Sequence, residues 1–223
     1  MKLVNPTIKY KDSYLELVKA AKVNGDISEM GNAYRENESF DTMVKRLKDR
    51  TQGKNIAKLD VPSSMKWIIE NGEVVGTIDL RHVLNKNYFE RLGHIAYYIH
   101  PQKRNRGYAT KALSLAIKWY KKMPINKILI TCYSDNEASK KVILNNGGVL
   151  EKATQDKQSN KTINRYLISI KDDKLSWFFY ILGICFVKAK SLQKVIYKYN
   201  YSWYSECNND KRWWHANTKR LCI

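Results

Sequence analysis

The seventeen residues from Gly93 to Ala109 (GHIAYYIHPQKRNRGYA) constrain this chain more than any other stretch. They set three kinds of local structure in a fixed order. His94–His100 is rich in Ile and Tyr and free of Gly and Pro, which reads as a strand. Pro101–Arg106 is polar and basic. Gly107 and Ala109 then open a segment, ATKALSLAIKWYKK, whose apolar residues Ala112, Leu115, Ala116 and Trp119 recur at helical spacing. A loop feeding a helix N-terminus leaves several backbone N–H groups without intrahelical partners, and the helix dipole adds partial positive charge there. Such a place suits a phosphate or pyrophosphate. Gly107 would let a ligand come close to the backbone, and Arg104 and Arg106 would add charge-assisted hydrogen bonds.

The chain on either side alternates strand and helix signals. Leu3–Ile8 reads as a strand. Lys11–Val23 reads as a helix with Tyr14, Leu15, Leu17, Val18 and Ala21 apolar, and Asn37-Glu38-Ser39 precedes a second amphipathic helix carrying Phe40, Met43, Val44 and Leu47. Met65–Ile69 and Val74–Leu80 are strands joined across Glu70-Asn71-Gly72-Glu73, where Asn-Gly is a strong hairpin signal. Asn85–Leu92 reads as a polar loop. After the central stretch come a strand, Lys127–Tyr133, and a helix opened by Asp135-Asn136-Glu137 and closed at Asn145-Asn146-Gly147-Gly148. Val149–Thr154 and Thr162–Ile170 form a closing pair of strands. This order predicts an α/β (α+β) fold over residues 1–170: one mixed, mostly antiparallel central sheet flanked by helices.

Residues 171–223 change character, with three of the four Cys and four of the six Trp, and form an extension of unassigned role. Three readings stay open there: a helix docking through Leu175–Val187, a membrane-surface or partner patch, or sequence out of its natural frame. Leu175–Val187 holds 13 residues, short of the ~20 that a transmembrane helix needs, so no span is expected. The N-terminus lacks the apolar region of a signal peptide. The cysteines at 132, 185, 207 and 222 lack metal-ligand spacing and read as reduced thiols, which points to the cytoplasm and to no metal. The net charge of +19 fits an anionic partner, but Lys, Asn, Ile and Tyr are abundant together, as compositional bias alone would make them.

Arg104-Asn105-Arg106-Gly107-Tyr108-Ala109 resembles the Arg/Gln-x-x-Gly-x-Gly/Ala signature of the GNAT superfamily of acyl-CoA N-acyltransferases. The strand before it, the helix after it, the strand KILITCY and the helix opened by Asp135-Asn136-Glu137 extend the likeness. It covers about 65–170 well, 1–64 loosely and 171–223 not at all. The resemblance implies acetyl-CoA as acyl donor and direct attack by an amine, with no covalent enzyme intermediate. The acceptor would be a small molecule or a peptide, and a homodimer stays open. It implies cofactor contacts at Tyr97, Tyr98, Ile99, Gln102, Lys103, Arg104, Asn105, Arg106, Gly107, Tyr108, Ala109 and Asn136, the last also a natural helix N-cap.

The resemblance also assigns catalytic positions. The oxyanion donor would be the backbone N–H of Tyr97 or Tyr98, on a strand whose end diverges from its neighbour to admit the pantetheine arm. The family's usual base is a Glu near the start of this strand. This chain has His94 there, a group whose proton affinity suits the task and which could equally be a hydrogen-bonded structural residue. The family's acid, a Tyr in the second helix, corresponds to Ile143, so none carries over. The early helices would shape the acceptor pocket, with Tyr34, Arg35 and Glu36 as candidates beside an ordinary role as loop residues. Cys132 reads as core. Two rival readings are a CoA-binding relative without turnover, and a basic nucleic-acid module that stacks bases on Tyr97 and Tyr98 beside Lys103 and Arg104. The glycine loop suits pyrophosphate and has no part in stacking, so no nucleic-acid partner is expected.

Overall fold

The computed structural model describes residues 1–156 and 159–170; the readings of 171–223, and the boundary that sets them off, concern residues outside that range. The first sheet is built around a two-residue turn. Strands β1 (Lys2–Val4), β2 (Ser63–Glu70), β3 (Glu73–Arg81) and β4 (Ile95–Ile99) lie side by side in chain order, all antiparallel. Asn71 and Gly72 join β2 to β3 with φ of 50° and 83°, the paired positive values that match a tight turn to the twist of its strands. β1 is shorter than the segment Leu3–Ile8 suggests. Pro6 has no N–H to give a ladder, and Ile8–Tyr10 winds into a 3-10 turn instead.

Period-2 alternation sorts β3 and β4 onto two faces. One face carries Ile78, Leu80, Ile95 and Ile99, which pack in one cluster with Ala112, Leu113, Ala116 and Tyr120 of helix α3 (Tyr108–Tyr120). The other is covered by helices α1 (Lys11–Val23) and α2 (Phe40–Thr51): Tyr14 stacks on the fully buried Trp67 with centroids 4.8 Å apart, in a cluster that includes Leu17, Val18, Met43, Met65 and Tyr98. Ser39 caps α2 by accepting from the Thr42 N–H at 3.2 Å. Between the two helices a 3-10 segment, Ile27–Ala33, kinks at Gly31.

The remaining strands form a second sheet. β5 (Lys127–Tyr133), β6 (Val149–Asp156) and β7 (Lys161–Ser169) are antiparallel in the order β5-β7-β6, with helix α4 (Glu137–Leu144) between β5 and β6. The single sheet expected from the sequence is therefore two, meeting at one joint between β4 and β5. There the His94 N–H donates to the Leu129 carbonyl at 2.7 Å, and the Leu129 N–H donates to His94 Nδ1 at 2.9 Å. Gly93 makes the approach feasible: its φ is +64°, and a Cβ on it would lie 2.6 Å from the Leu129 oxygen.

The β3–β4 connection, expected as a polar loop, is firmly held. Tyr88–Leu92 forms one π-helical turn closed by Gly93 N–H to Tyr88 O at 2.6 Å. Arginines satisfy its carbonyls. Arg81 donates to Leu92 O and Gly93 O, both at 2.9 Å, and buried Arg165 donates to Phe89 O and Glu90 O. Arg91 pairs with Asp156 of β6 at 2.8 Å, so the turn bridges both sheets.

Candidate active site

Beyond the joint, β4 and β5 pair with each other nowhere among the described residues, which leaves a gap bordered by unpaired backbone. Register decides which β4 groups face it. The Arg81 N–H bonds His94 O at 2.9 Å and the His100 N–H bonds Val75 O at 3.0 Å, with Asp79 opposite Ala96 and Thr77 opposite Tyr98 between them. Residues in an antiparallel pair alternate between exchanging both bonds with the partner and turning both groups away. Ala96 and Tyr98 are therefore spent on β3, while Ile95, Tyr97 and Ile99 turn their amides toward the gap. Of the two amides considered for the oxyanion, that of Tyr97 faces the opening. Ile99 O already accepts from Arg104 Nε at 3.2 Å.

At the far end of β4, Pro101–Lys103 forms a 3-10 turn, and Asn105 (φ 62°) and Gly107 (φ 77°) curl the backbone into the start of α3. The N–H groups of Asn105, Arg106, Gly107, Tyr108, Ala109 and Thr110 have no hydrogen-bond partner among the described residues; the first helical bond is Lys111 N–H to Gly107 O at 3.0 Å. A Cβ on Gly107 would meet nothing within 4 Å, so the glycine is required by its φ and not by crowding inside the protein. Gln102 and Arg106 are exposed. Arg106 has no ion-pair partner among the described residues. The other two cations are engaged: Lys103 pairs with Glu73, and Arg104 pairs with Asp26 and lies over the Tyr98 ring at 5.4 Å. The Arg104 guanidinium bridges Ile99 O at the end of β4 and Asp26, just past α1. Asn136 Oδ1 accepts from the Ser139 N–H at 2.9 Å as the cap of α4.

Asp26 was not singled out from the sequence, yet it organises this corner. Burial alone would raise its carboxyl, but bonds from Tyr98 Oη (2.6 Å), Arg104 and Asn24 outweigh that and hold it below its ordinary value. Tyr98 is buried by this contact, and burial pushes the Tyr97 phenol up to about 12. Neither ring forms the open stacking face that a nucleic-acid module needs.

A cavity of about 250 Å³ opens on the face of β4 opposite α3. Its walls are Glu29, Met30, Gly31 and Asn32 of the kinked segment, Met65 of β2, Thr77, Asp79 and Arg81 of β3, Tyr88 and Leu92 of the π-helical turn, and Ala96, Tyr97 and Tyr98 of β4. Tyr97 thus borders both the gap and the cavity. Tyr34, Arg35 and Glu36, the acceptor candidates of the sequence, are not in its lining; the wall comes from the segment just before them. Asp79 is 4% exposed, and neither of its carboxylate oxygens has a hydrogen-bond partner. Nε of Arg81 lies 3.7 Å away, also without one. A second cavity, about 410 Å³, lies between the start of β5, β6 and the Asn146-Gly147 turn, and includes nothing from β4 or α3.

His94 stands apart from the cavity lining. Its ring is at the joint, edge-on to Tyr120 with centroids 5.9 Å apart, and Tyr120 Oη lies 2.9 Å from both Arg81 O and His94 O. Burial is the main cause that drives its pKa down to about 4, against the Leu129 bond. Ile143, at the family's tyrosine position, is fully buried in the core, and Cys132 is a buried strand residue whose thiol burial pushes up to about 11. Among the described residues no group of three or more His, Cys, Asp or Glu could hold a metal, and no helix is long and apolar enough to cross a membrane.

Solved structures share this arrangement. The microcin self-immunity acetyltransferase MccE, crystallised with acetyl-CoA and AMP, superposes with a TM-score of 0.55 at 17% identity, over 75% of this chain and 91% of that one. An acetyltransferase of Salmonella typhimurium that modifies the N-terminal serine of a 50S ribosomal subunit protein gives 0.55 at 17% identity, over 76% and 94%. RimL, a ribosomal α-N-protein acetyltransferase, gives 0.52 at 16%, over 75% and 94%. At such identities the likeness is one of fold. No curated protein sequence matches significantly. The family itself is decided by sequence, because the model of the acetyltransferase (GNAT) domain matches residues 8–149, well over half of the chain: the protein belongs to the GNAT acetyltransferases, whose acyl donor is acetyl-CoA.

Proposed function

We propose that this protein carries an acetyl group from acetyl-CoA to an amine by direct attack, without a covalent enzyme intermediate. The observation that carries the reading is the row of unpartnered N–H groups from Asn105 to Thr110, standing at the end of the strand whose Tyr97 amide faces an open gap. The row suits a pyrophosphate, with the exposed Arg106 beside it. Gln102, Lys103 and Arg104 serve this loop by shaping it, and Asn136 by capping α4 near the gap. The Tyr97 N–H is the donor for charge developing on the thioester oxygen, and Ile99 offers its amide to the pantetheine arm. Tyr98 contributes through its ring and hydroxyl, since its amide belongs to the ladder. MccE, crystallised with acetyl-CoA, supports the choice of donor.

His94 takes a different part from the base suggested by its sequence position. With its pKa near 4 and Nδ1 occupied, it stays neutral at neutral pH and fastens the two sheets where the gap begins. No acid for the thiolate is assigned, and a coenzyme A thiolate leaves readily without one.

Calorimetric titration with acetyl-CoA tests the donor site. Gly107→Ala and Gly107→Glu impose the same unfavourable φ, but only the second sets a carboxylate against a pyrophosphate. The alanine variant should bind within about threefold of wild type. The glutamate variant should lose at least about tenfold, the worth of one charge-assisted hydrogen bond. Equal affinity in the two variants would remove the phosphate-loop assignment.

A further inference from the structure

We propose that Asp79 is a catalytic residue that seats the acceptor as an alkylammonium ion and takes its proton, so that the substrates are unhindered aliphatic primary amines rather than arylamines or alcohols. The assignment rests on the acetyl-transfer reading of the neighbouring gap.

Three observations converge on it. Asp79 lines a cavity that shares Tyr97 with the gap, so an amine held there lies next to the amide that would face the thioester oxygen. Both of its carboxylate oxygens are buried and without a hydrogen-bond partner among the described residues, a condition that folded proteins relieve with water, an ion or a ligand. Arg81 pairs with it in charge at 3.7 Å but makes no hydrogen bond to it, and that guanidinium donates to Leu92 O and Gly93 O instead, so both oxygens keep their capacity to accept.

The chemistry of the walls selects the ligand. A carboxylate with two open oxygens suits an ammonium, which brings three donors and a compensating charge. Met30 and Met65 offer a thioether-lined wall for an alkyl chain. An arylamine or an alcohol arrives uncharged and brings fewer donors, so it leaves at least one carboxylate oxygen unsatisfied. In the step itself the ammonium gives one proton to Asp79 and becomes a free amine. Its lone pair forms the C–N bond, the C–S bond breaks, and the second nitrogen proton leaves with the thiolate as the free thiol. Asp79 then returns its proton to water.

Transfer from acetyl-CoA to hexylamine, p-toluidine and hexanol is measured for wild type, Asp79→Asn and Asp79→Glu, with acetyl-CoA binding followed separately by calorimetry. Wild type should acetylate hexylamine in preference to the other two. Asp79→Asn, nearly isosteric, should lower kcat/KM for hexylamine by about 10²–10⁴, the usual worth of a positioned base, and leave acetyl-CoA affinity within a factor of two. Asp79→Glu should recover part of the loss. An Asn variant within threefold of wild type, or a wild type that prefers p-toluidine or hexanol, overturns the proposal. Failure of wild type to bind acetyl-CoA counts instead against the donor site, and the two failures are read from different instruments.

Discussion

His94 shows how one side chain can carry a structural duty that resembles a chemical one. A histidine at the mouth of the central strand has the right chemistry for a base, and nothing in the sequence reveals that β5 arrives there to occupy its Nδ1. The consequence for stability has a definite sign. Its folded pKa, about 4, lies below the ordinary 6.5, so the unfolded chain binds the extra proton across that interval. The contribution is fully present above 6.5 and is lost as pH falls toward 4, by an amount on the order of 3 kcal/mol. Asp26 and Asp60 are both held below their ordinary 3.8 and so titrate beneath this window, whereas burial also lowers His82 and His100 from 6.5 and adds losses of the same sign. His94→Asn places an amide oxygen where Nδ1 accepts and removes the titration. Denaturant unfolding at pH 7.5 and 5.0 should show a large loss for wild type and a smaller one for the variant, in which His82 and His100 still titrate. Equal losses would assign the pH dependence to other groups.

At the scale of elements, the loop into α3 was legible because its signals are local: a glycine with positive φ, a basic run, and a helix pattern directly after. What local signals could not tell is which arginine stays free. Arg104 and Arg106 are indistinguishable by type, but Asp26, 78 residues away from Arg104 in the chain, claims only the first. Arg106→Ala should therefore weaken acetyl-CoA binding by roughly tenfold or more, with a loss that shrinks as salt is raised. Arg104→Ala should instead free Asp26 and Tyr98, lowering thermal stability and acceptor turnover more than donor affinity. Calorimetry at two salt concentrations, together with melting curves, separates the pair. The hairpin at Asn71-Gly72, the helices α1 to α4 and the strands β2 to β7 were legible for the same local reason. Asp79 was not, because a polar residue in an alternating strand reads as solvent-facing until α1 and the kinked segment are known to cover that face.

For the whole molecule, the decisive fact is that the expected single sheet is two, and strand order gives no warning of it. Whether β4 and β5 pair fully or touch at one point is settled by tertiary fit at Gly93, His94 and Leu129. The gap proposed for acetyl-CoA begins at that contact, so its width should depend on how closely Gly93 approaches β5. Gly93→Ala would put a methyl 2.6 Å from the Leu129 oxygen at a φ of +64°, and both the strain and the contact must be relieved by moving the strands apart. Gly72→Ala is the matched comparison, with φ +83° and nothing within 4 Å of the added carbon. Conformational strain alone is worth about 1–2 kcal/mol, roughly 2–8 °C in Tm for a domain of this size. Both variants should show that drop. Only Gly93→Ala should fall further and also lose affinity for acetyl-CoA, because only there does the added methyl press on the joint. If Gly93→Ala melts well below Gly72→Ala yet binds acetyl-CoA as wild type does, the joint stabilises the fold without setting the gap.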